Sequence, residues 1–354
     1  MPKPQKAATR SLRRTTISDV AREAGVAIKT ISRFLNNDAS IKPSTRERVQ
    51  KAVKALNYSP NPAARALAGT RSFLIGLLYN NPSAYYMDCV QEAILDVCRA
   101  HGYHLLVETC SADPTQMLHD VPSMIAQTRV DGVILTPTVS DNPLVLAALR
   151  RDRVPHVVIA PSPPQGRSLS VHMDHEGAAY EMATSLFNLG HRRIGFIKGH
   201  PQHSASRLRY QGFCRALIDR GIEPDLNLVA QGHFSFETGH ACARTLLQAA
   251  NRPTAIFAAN DDMAAGCITA AHELGLGVPE DVSIAGFNDT PVALITWPTL
   301  TTVHQPIREM AAGAAKLLFG SIAAKARQAK SRSVSSEQFH HRIILRGSTS
   351  SPRN

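Results

Sequence analysis

Apolar residues recur at helical spacing three times within the first sixty positions. Ile17, Val20, Ala21 and Ala24 form the first stripe. Thr16 stands before it as a cap, Asp19 three positions on makes an acidic variant of the capping box, and Gly25 ends the run. A second short helix is predicted from about 28 to 36. Its Ile31 and Leu35 point inward, while Lys29, Arg33 and Asn36 share one outer face. A third is expected after Pro43, capped by Ser44 with Glu47 and burying Val49, Ala52, Val53 and Leu56. Two short helices joined by a tight glycine-containing turn and backed by a third describe a helix-turn-helix. Any small three-helix bundle with a charged surface shows a similar pattern.

From Ser72 the period changes. Short β-branched runs at 73–79, 103–107, 132–136 and 156–160 alternate with helical stretches, and a second set follows at 194–198, 255–259, 283–287 and 301–304. Helical patterns between them include 88–101, 176–189, 208–220 and 263–274. Alternation of this kind predicts parallel sheets covered on both faces. Two sets in series predict two α/β lobes with a ligand cleft at their strand ends. Between head and body, residues 60–71 are rich in Ala and too short to fold alone. Asn61 can cap a hinge helix with Pro62 in its first position, although a plain linker fits the same residues.

Charge sharpens the reading. The chain carries formal net charge +11 over 354 residues, and 15 Lys and Arg against 4 Asp and Glu in residues 1–71 account for all of it. A basic head on a neutral body is an electrostatic footprint for a polyanion. Only residues 1–14 fit a solvated, disordered basic tail. No apolar run is long enough to span a bilayer and no hydrophobic segment follows the first basic residues, so a cytoplasmic protein without a membrane partner is expected. Six scattered cysteines without a CxxC pair suit a reducing compartment.

The run Thr16-Ile17-x-Asp19-Val20-Ala21-x-x-Ala24-Gly25-Val26, followed by Lys29-Thr30-Ile31-Ser32-Arg33-x-Leu35-Asn36, closely resembles the signature of the lactose/galactose repressor (LacI/GalR-type) family. The match continues through Thr45-Arg46, Leu56-Asn57-Tyr58-x-Pro60-Asn61 and Ala63-Ala64-Arg65-x-Leu67, and reaches Leu345-x-Gly347-Ser348-Thr349. One departure is Ala27, where the family usually places a capping Ser; an Ala there costs about 1 kcal/mol of local stability. The resemblance implies an α+β multidomain chain. A helix-turn-helix head (15–59) and hinge (60–71) precede a body (72–349) of two Rossmann-like lobes similar to periplasmic sugar-binding proteins. The chain then crosses three times between a first lobe of about 72–171 plus 305–330 and a second of about 172–300 plus 331–349.

The resemblance also implies site residues. Ile28, Lys29 and Arg33 read bases, Arg33 suiting a guanine edge and Ile28 a thymine methyl. Thr16, Thr30, Ser32 and Asn36 touch phosphates and set the register. Asn61, Ala64 and Leu67 belong to the hinge that folds on DNA, with Leu67 as a minor-groove wedge. Ligand-contact candidates are the post-strand residues Asn80, Arg209, Asn260, Asn288, Asp289 and Gln305, with Tyr85 or Tyr86 and Phe234 nearby. The family often has Asp where this chain has Asn288, and whether Asn288 or Asp289 touches the ligand is open from the sequence.

Arg and amide groups beside aromatic rings suit a small polyhydroxylated ligand. A sugar or sugar derivative is therefore expected, with a purine or nucleoside as the alternative on the same scaffold. No Walker A loop or GxSxG elbow is present, and His172-x-x-His175 reads as a pair of surface histidines beside a helix start. Neither an enzyme nor a metal or cofactor site is expected. The whole predicts a transcriptional regulator, a repressor by family default, that binds a palindromic double-stranded operator as a homodimer. One recognition helix reads too few base pairs for useful specificity, and only a few polar residues follow Thr349.

Overall fold

Helix α1 (Ile17–Ala24) begins where its cap dictates. Thr16 Oγ1 accepts from the Asp19 backbone N–H at 3.3 Å, and Asp19 Oδ2 accepts in return from the Thr16 N–H at 3.0 Å. Gly25 closes it in the left-handed conformation at φ 61°. Helices α2 (Ile28–Leu35) and α3 (Pro43–Ala55) complete the head. Val20, Ala24, Ile31, Val49 and Ala52 are buried at its centre, with Phe34, Leu35, Val53 and Leu56 packed around them. The expected Ser44 and Glu47 cap does not form. Pro43 takes the first helical position, where its missing N–H costs nothing, and Lys42 precedes it without a side-chain cap bond.

In this computed structural model the described residues are 15–35, 38, 40–58, 71–160, 168–326 and 336–353. The basic tail at 1–14, Asn36, and the hinge positions Asn61, Ala64 and Leu67 lie outside them. The chain divides into two units, 1–72 and 73–354.

The second unit alternates strands and helices as expected. Its first part runs β1 (Leu74–Tyr79), α4 (Ala84–Ala100), β2 (His104–Thr109), α5 (Pro114–Thr128), β3 (Gly132–Leu135), α6 (Pro143–Arg151), β4 (His156–Ile159) and β5 (Leu169–Met173). The next part begins with α7 (His175–Asn188), β6 (Ile194–Lys198), α8 (Ser204–Ile218), β7 (Val229–Gln231), α9 (Phe236–Gln248) and β8 (Ala255–Ala258). It continues through α10 (Asp261–Glu273), β9 (Ser283–Asn288), the short α11 (Val292–Ile295) and β10 (Thr301–His304). Helix α12 (Ile307–Ala326), β11 (Ser336–Phe339) and β12 (Arg342–Ile344) close the chain.

Two six-stranded sheets result, in the orders β11-β5-β4-β3-β1-β2 and β12-β10-β9-β8-β6-β7. Every pairing is parallel except β12 against β10. Central strands such as β3, β8 and β9 are buried along their whole length, as sheets covered on both faces require. Both lobes repeat one topology, in which the first strand lies between the second and third. The crevice of such a sheet opens at the carboxyl ends of its strands, beside that reversal.

The chain crosses between lobes three times, but the last boundary differs from the sequence expectation. Ser336–Phe339 pairs with β5, so it belongs to the first lobe and not to the second-lobe stretch 331–349. His172 and Met173 likewise end a first-lobe strand. Strand β11 escaped detection because it is an edge strand with three exposed residues, Ser336, Glu337 and Gln338, and no apolar alternation.

In the second lobe α7 and α8 cross at Gly212, where a Cβ would lie 2.0 Å from the Glu176 carbonyl oxygen. Only glycine allows that approach, and it sets the position of α8 on the lobe. Gly212→Ala should therefore lower stability by about 1–3 kcal/mol through overpacking. Gly320, exposed in α12 where an added Cβ would clash with nothing, should by contrast gain about 0.5–1 kcal/mol as Ala. Thermal melts of the two variants should shift in opposite directions, and an unchanged or raised melting temperature of Gly212→Ala would disprove the close crossing.

Candidate nucleic-acid interface and interlobe cavity

On the head, α2 presents Ile28 at 49% exposure beside exposed Lys29, Ser32 and Arg33, while Thr30 is half-buried and Ile31 anchors the helix in the core. This is the outward face that the spacing predicts. Arg33 does not hang free. Its Nε donates to Asp38 Oδ2 at 2.8 Å and its Nη2 donates to Ser40 Oγ. The Ser40 hydroxyl and Arg33 together hold the Asp38 carboxyl well below the usual carboxylate range. Asp38 thus fixes the base of the guanidinium on the loop after α2, a contact that the sequence did not suggest. Arg46 Nη2 donates to the Asp38 carbonyl at 2.8 Å and lies over the Phe34 ring, tying the same loop to α3. Thr16 is exposed and serves as the cap of α1.

In the body the strand ends of both lobes enclose one cavity. The first lobe contributes Asn81, Ser83 and Tyr86 after β1, Pro137 after β3 and Ala160 after β4. The second contributes His175, His203, Ala205 and Arg209 from the starts of α7 and α8, then Phe234, Asn260 and Asn288; Gln305 follows β10. Ala160, Phe234, Asn288 and Asp289 all have positive φ, at 49°, 67°, 116° and 57°. Such strained non-glycine residues gather where surrounding structure over-determines them, typically at functional sites. Gly199 makes room for the Phe234 ring, which would meet a Cβ there at 2.0 Å.

Arg209 is 4% exposed and organises the second-lobe wall. Its Nη1 donates to the Ala259 carbonyl at 2.5 Å. Its Nη2 reaches Gln305 Oε1 at 3.1 Å, Asn288 Oδ1 at 3.2 Å and His175 Nδ1 at 3.4 Å. The guanidinium carbon stands 3.5 Å from the Phe287 ring centroid. Burial pulls its pKa down to about 9. Burial pushes the Tyr86 phenol up to about 12 and the His203 imidazole down to about 4, and burial beside Arg209 holds His175 well below its ordinary value. Both imidazoles are therefore neutral at physiological pH. His175 Nε2, His203 Nε2 and Arg209 Nε are buried without a hydrogen-bond partner, which marks polar capacity left for a ligand or water.

Ser83 Oγ donates to Asp262 Oδ2 at 2.6 Å across the lobes. The Asp262 carboxylate also accepts from Asn260 Nδ2 at 2.9 Å, so the wall of the cavity and the bridge share one group.

Of the sequence candidates, Tyr86, Arg209, Phe234, Asn260, Asn288 and Gln305 line the cavity and three do not. Asn80 turns its amide to the Cys110 carbonyl at 3.0 Å, leaving Asn81 at the cavity. Tyr85 lies in a separate groove with Pro82, Asp88 and Gln91. Asp289 pairs with Arg346 at 2.7 Å and His304 at 2.9 Å, so Asn288 is the one that faces Arg209. His175 is a correction: it is buried, not a surface histidine, because α7 starts beneath Phe287 and the cavity. His203 and Ser83 were missed, although both directly precede helices that follow first strands, the position that flagged Asn260. Among the described residues no cluster of metal-ligating side chains is found and no helix is long and apolar enough to cross a membrane.

The family model of bacterial regulatory proteins of the lacI family matches residues 16–61, and that of a periplasmic binding protein-like domain matches residues 183–349. Catabolite control protein A of Priestia megaterium is 32% identical over 94% of this chain and 99% of its own length. The HTH-type transcriptional repressor PurR of Erwinia tasmaniensis is 34% identical over 94% of this chain and 97% of its own. Among solved structures, the lac repressor dimer bound to operator and the anti-inducer ONPF is similar with a TM-score of 0.78 at 27% identity, covering 96% of this chain and 100% of that one. The transcriptional regulator CelR in complex with cellobiose gives a TM-score of 0.71 at 29% identity, covering 95% and 100%. With relatives of this identity along nearly its whole length, the chain belongs to the lacI family of bacterial regulatory proteins: it is a DNA-binding transcriptional regulator, not an enzyme.

Proposed function

We propose that this protein is a cytoplasmic repressor of a catabolic operon, that its dimer binds a palindromic operator, and that a sugar or sugar derivative seated between the lobes controls that binding. The observation that carries the effector part is Arg209, a buried guanidinium with an unsatisfied Nε in a cavity that both lobes build. A lobe pair that closes over a ligand converts binding into a change of shape. An effector alters DNA affinity only through its different affinity for the two lobe arrangements. The Ser83–Asp262 bond joins the two lobes at this cavity. The cellobiose held by the CelR structure supports a saccharide-type ligand for a cavity of this kind.

On the DNA side, the exposed face of α2 supports the following roles. Arg33, steadied by Asp38, offers its outer N–H groups to a guanine edge, Lys29 a second base, and Ile28 apolar contact to a thymine methyl. Thr16, Thr30 and Ser32 contact phosphates and set the register. The segment 60–71 acts as the hinge, with Asn61, Ala64 and Leu67 at the operator.

Arg33→Ala should cost about 1–3 kcal/mol of discrimination between operator and random DNA. Gel-shift titrations on both DNAs read this directly, and equal losses on the two would make Arg33 a phosphate contact. Arg209→Ala should make operator affinity insensitive to the effector, removing a coupling of about 1–3 kcal/mol. Calorimetry that found unchanged effector affinity in this variant would remove Arg209 from the ligand site.

A further inference from the structure

The cavity carries an unbalanced charge, and this inference rests on the effector site proposed above. Arg209 is the single lining residue with a formal charge; the remaining polar lining groups are amides, hydroxyls and neutral imidazoles. Among the described residues no carboxylate lies within ion-pair distance of it. Three acids at the second-lobe strand ends are already engaged. Asp261 accepts from the Thr290 N–H at 2.8 Å and from the Thr302 hydroxyl at 2.6 Å, and burial pushes it up to about 7. Asp262 is held by Ser83 and Asn260, and Asp289 by Arg346 and His304.

The acceptors that Arg209 does have are a backbone carbonyl, two amide oxygens and a neutral imidazole. The Phe287 face offsets part of the positive charge, but a ring quadrupole does not supply a full counter-charge. The surrounding backbone adds to the imbalance. Ser83, His203 and Asn260 stand at the N-termini of α4, α8 and α10, whose dipoles place partial positive charge at the same end. A buried cation without a carboxylate is costly to the empty protein, and a ligand that brings the missing negative charge recovers that cost.

We propose that the effector is a small organic anion whose oxyanion group, a carboxylate or a phosphate, binds the free Nε side of Arg209 while its polar frame meets the amides and imidazoles around it. Within the saccharide reading this is a sugar acid or a sugar phosphate, not a neutral sugar. The guanidinium fork suits either group.

The test uses the full chain. Gluconate, glucose 6-phosphate and glucose are titrated by calorimetry, alongside acetate and inorganic phosphate against chloride at constant ionic strength, each read by thermal shift. The expected result is saturable binding of an oxyanion by the wild type, absent in Arg209→Gln. Gluconate and glucose 6-phosphate separate the carboxylate from the phosphate source. Asn288→Asp supplies the second arm, since it places a carboxylate where Asn288 Oδ1 now stands 3.2 Å from Arg209. That variant should melt higher than wild type without ligand and bind the oxyanion at least tenfold more weakly. Arg209-dependent binding of glucose alone, retained in Asn288→Asp, would overturn the anionic class and leave the effector site standing. If no probe, charged or neutral, responds to Arg209→Gln, the site and the class both fall.

Discussion

A guanidinium with no carboxylate beside it sits at the strand ends of the second lobe, and the cavity is arranged around keeping it there. Arg209 comes from the second turn of α8, and α8 lies close enough to α7 to present it only because Gly212 lets the two backbones meet. Its acceptors arrive from the ends of three strands: Ala259 after β8, Asn288 at the end of β9 and Gln305 after β10. One side chain therefore reports the relative position of three strands and two helices. A ligand that draws on the same donor competes with those neutral acceptors and is felt along every one of those elements.

The two lobes share one topology, so their strand ends face one another with matching sets of helix N-termini. That symmetry explains why a single cavity forms and why it lies where the chain changes lobe. The crossings occur between β5 and α7, between β10 and α12, and between β11 and β12. Gln305 lies at the second crossing and His175 close to the first, so both touch Arg209 from the segments that must bend if the lobes move. Loss or gain of contacts at Arg209 thus acts on the hinges directly, with no need for a longer path through the core.

Much of this was legible in the residues, and the failures share a physical pattern. Asn260 and Gln305 were found because a polar side chain just past a buried β-branched run has few structural uses, and Arg209 through the resemblance to the family. Adjacent pairs were not resolved. Asn80 and Asn81, Tyr85 and Tyr86, and Asn288 and Asp289 each offer two candidates one residue apart, and one residue turns a side chain to the opposite side. The deciding partners are remote in sequence: Cys110 takes Asn80, and Arg346 takes Asp289. His175 was misread because burial by Phe287 leaves no trace in local polarity. Strand β11 was missed because an exposed edge strand needs no apolar pattern when its backbone pairs with β5.

Charge is divided between the two units in a way that suits their tasks. The whole formal excess of +11 lies in residues 1–71, and salt screens exposed charge within about 8 Å at physiological ionic strength. Such charge gives rapid, salt-sensitive attraction to a phosphate backbone, which is what a protein searching along DNA needs. The body is neutral overall and keeps one cation, Arg209, buried where salt screens it far less. The charge of the head and the buried charge of Arg209 thus respond differently to ionic strength. A neutral body adds nothing to nonspecific DNA binding, so that attraction rests on the head alone.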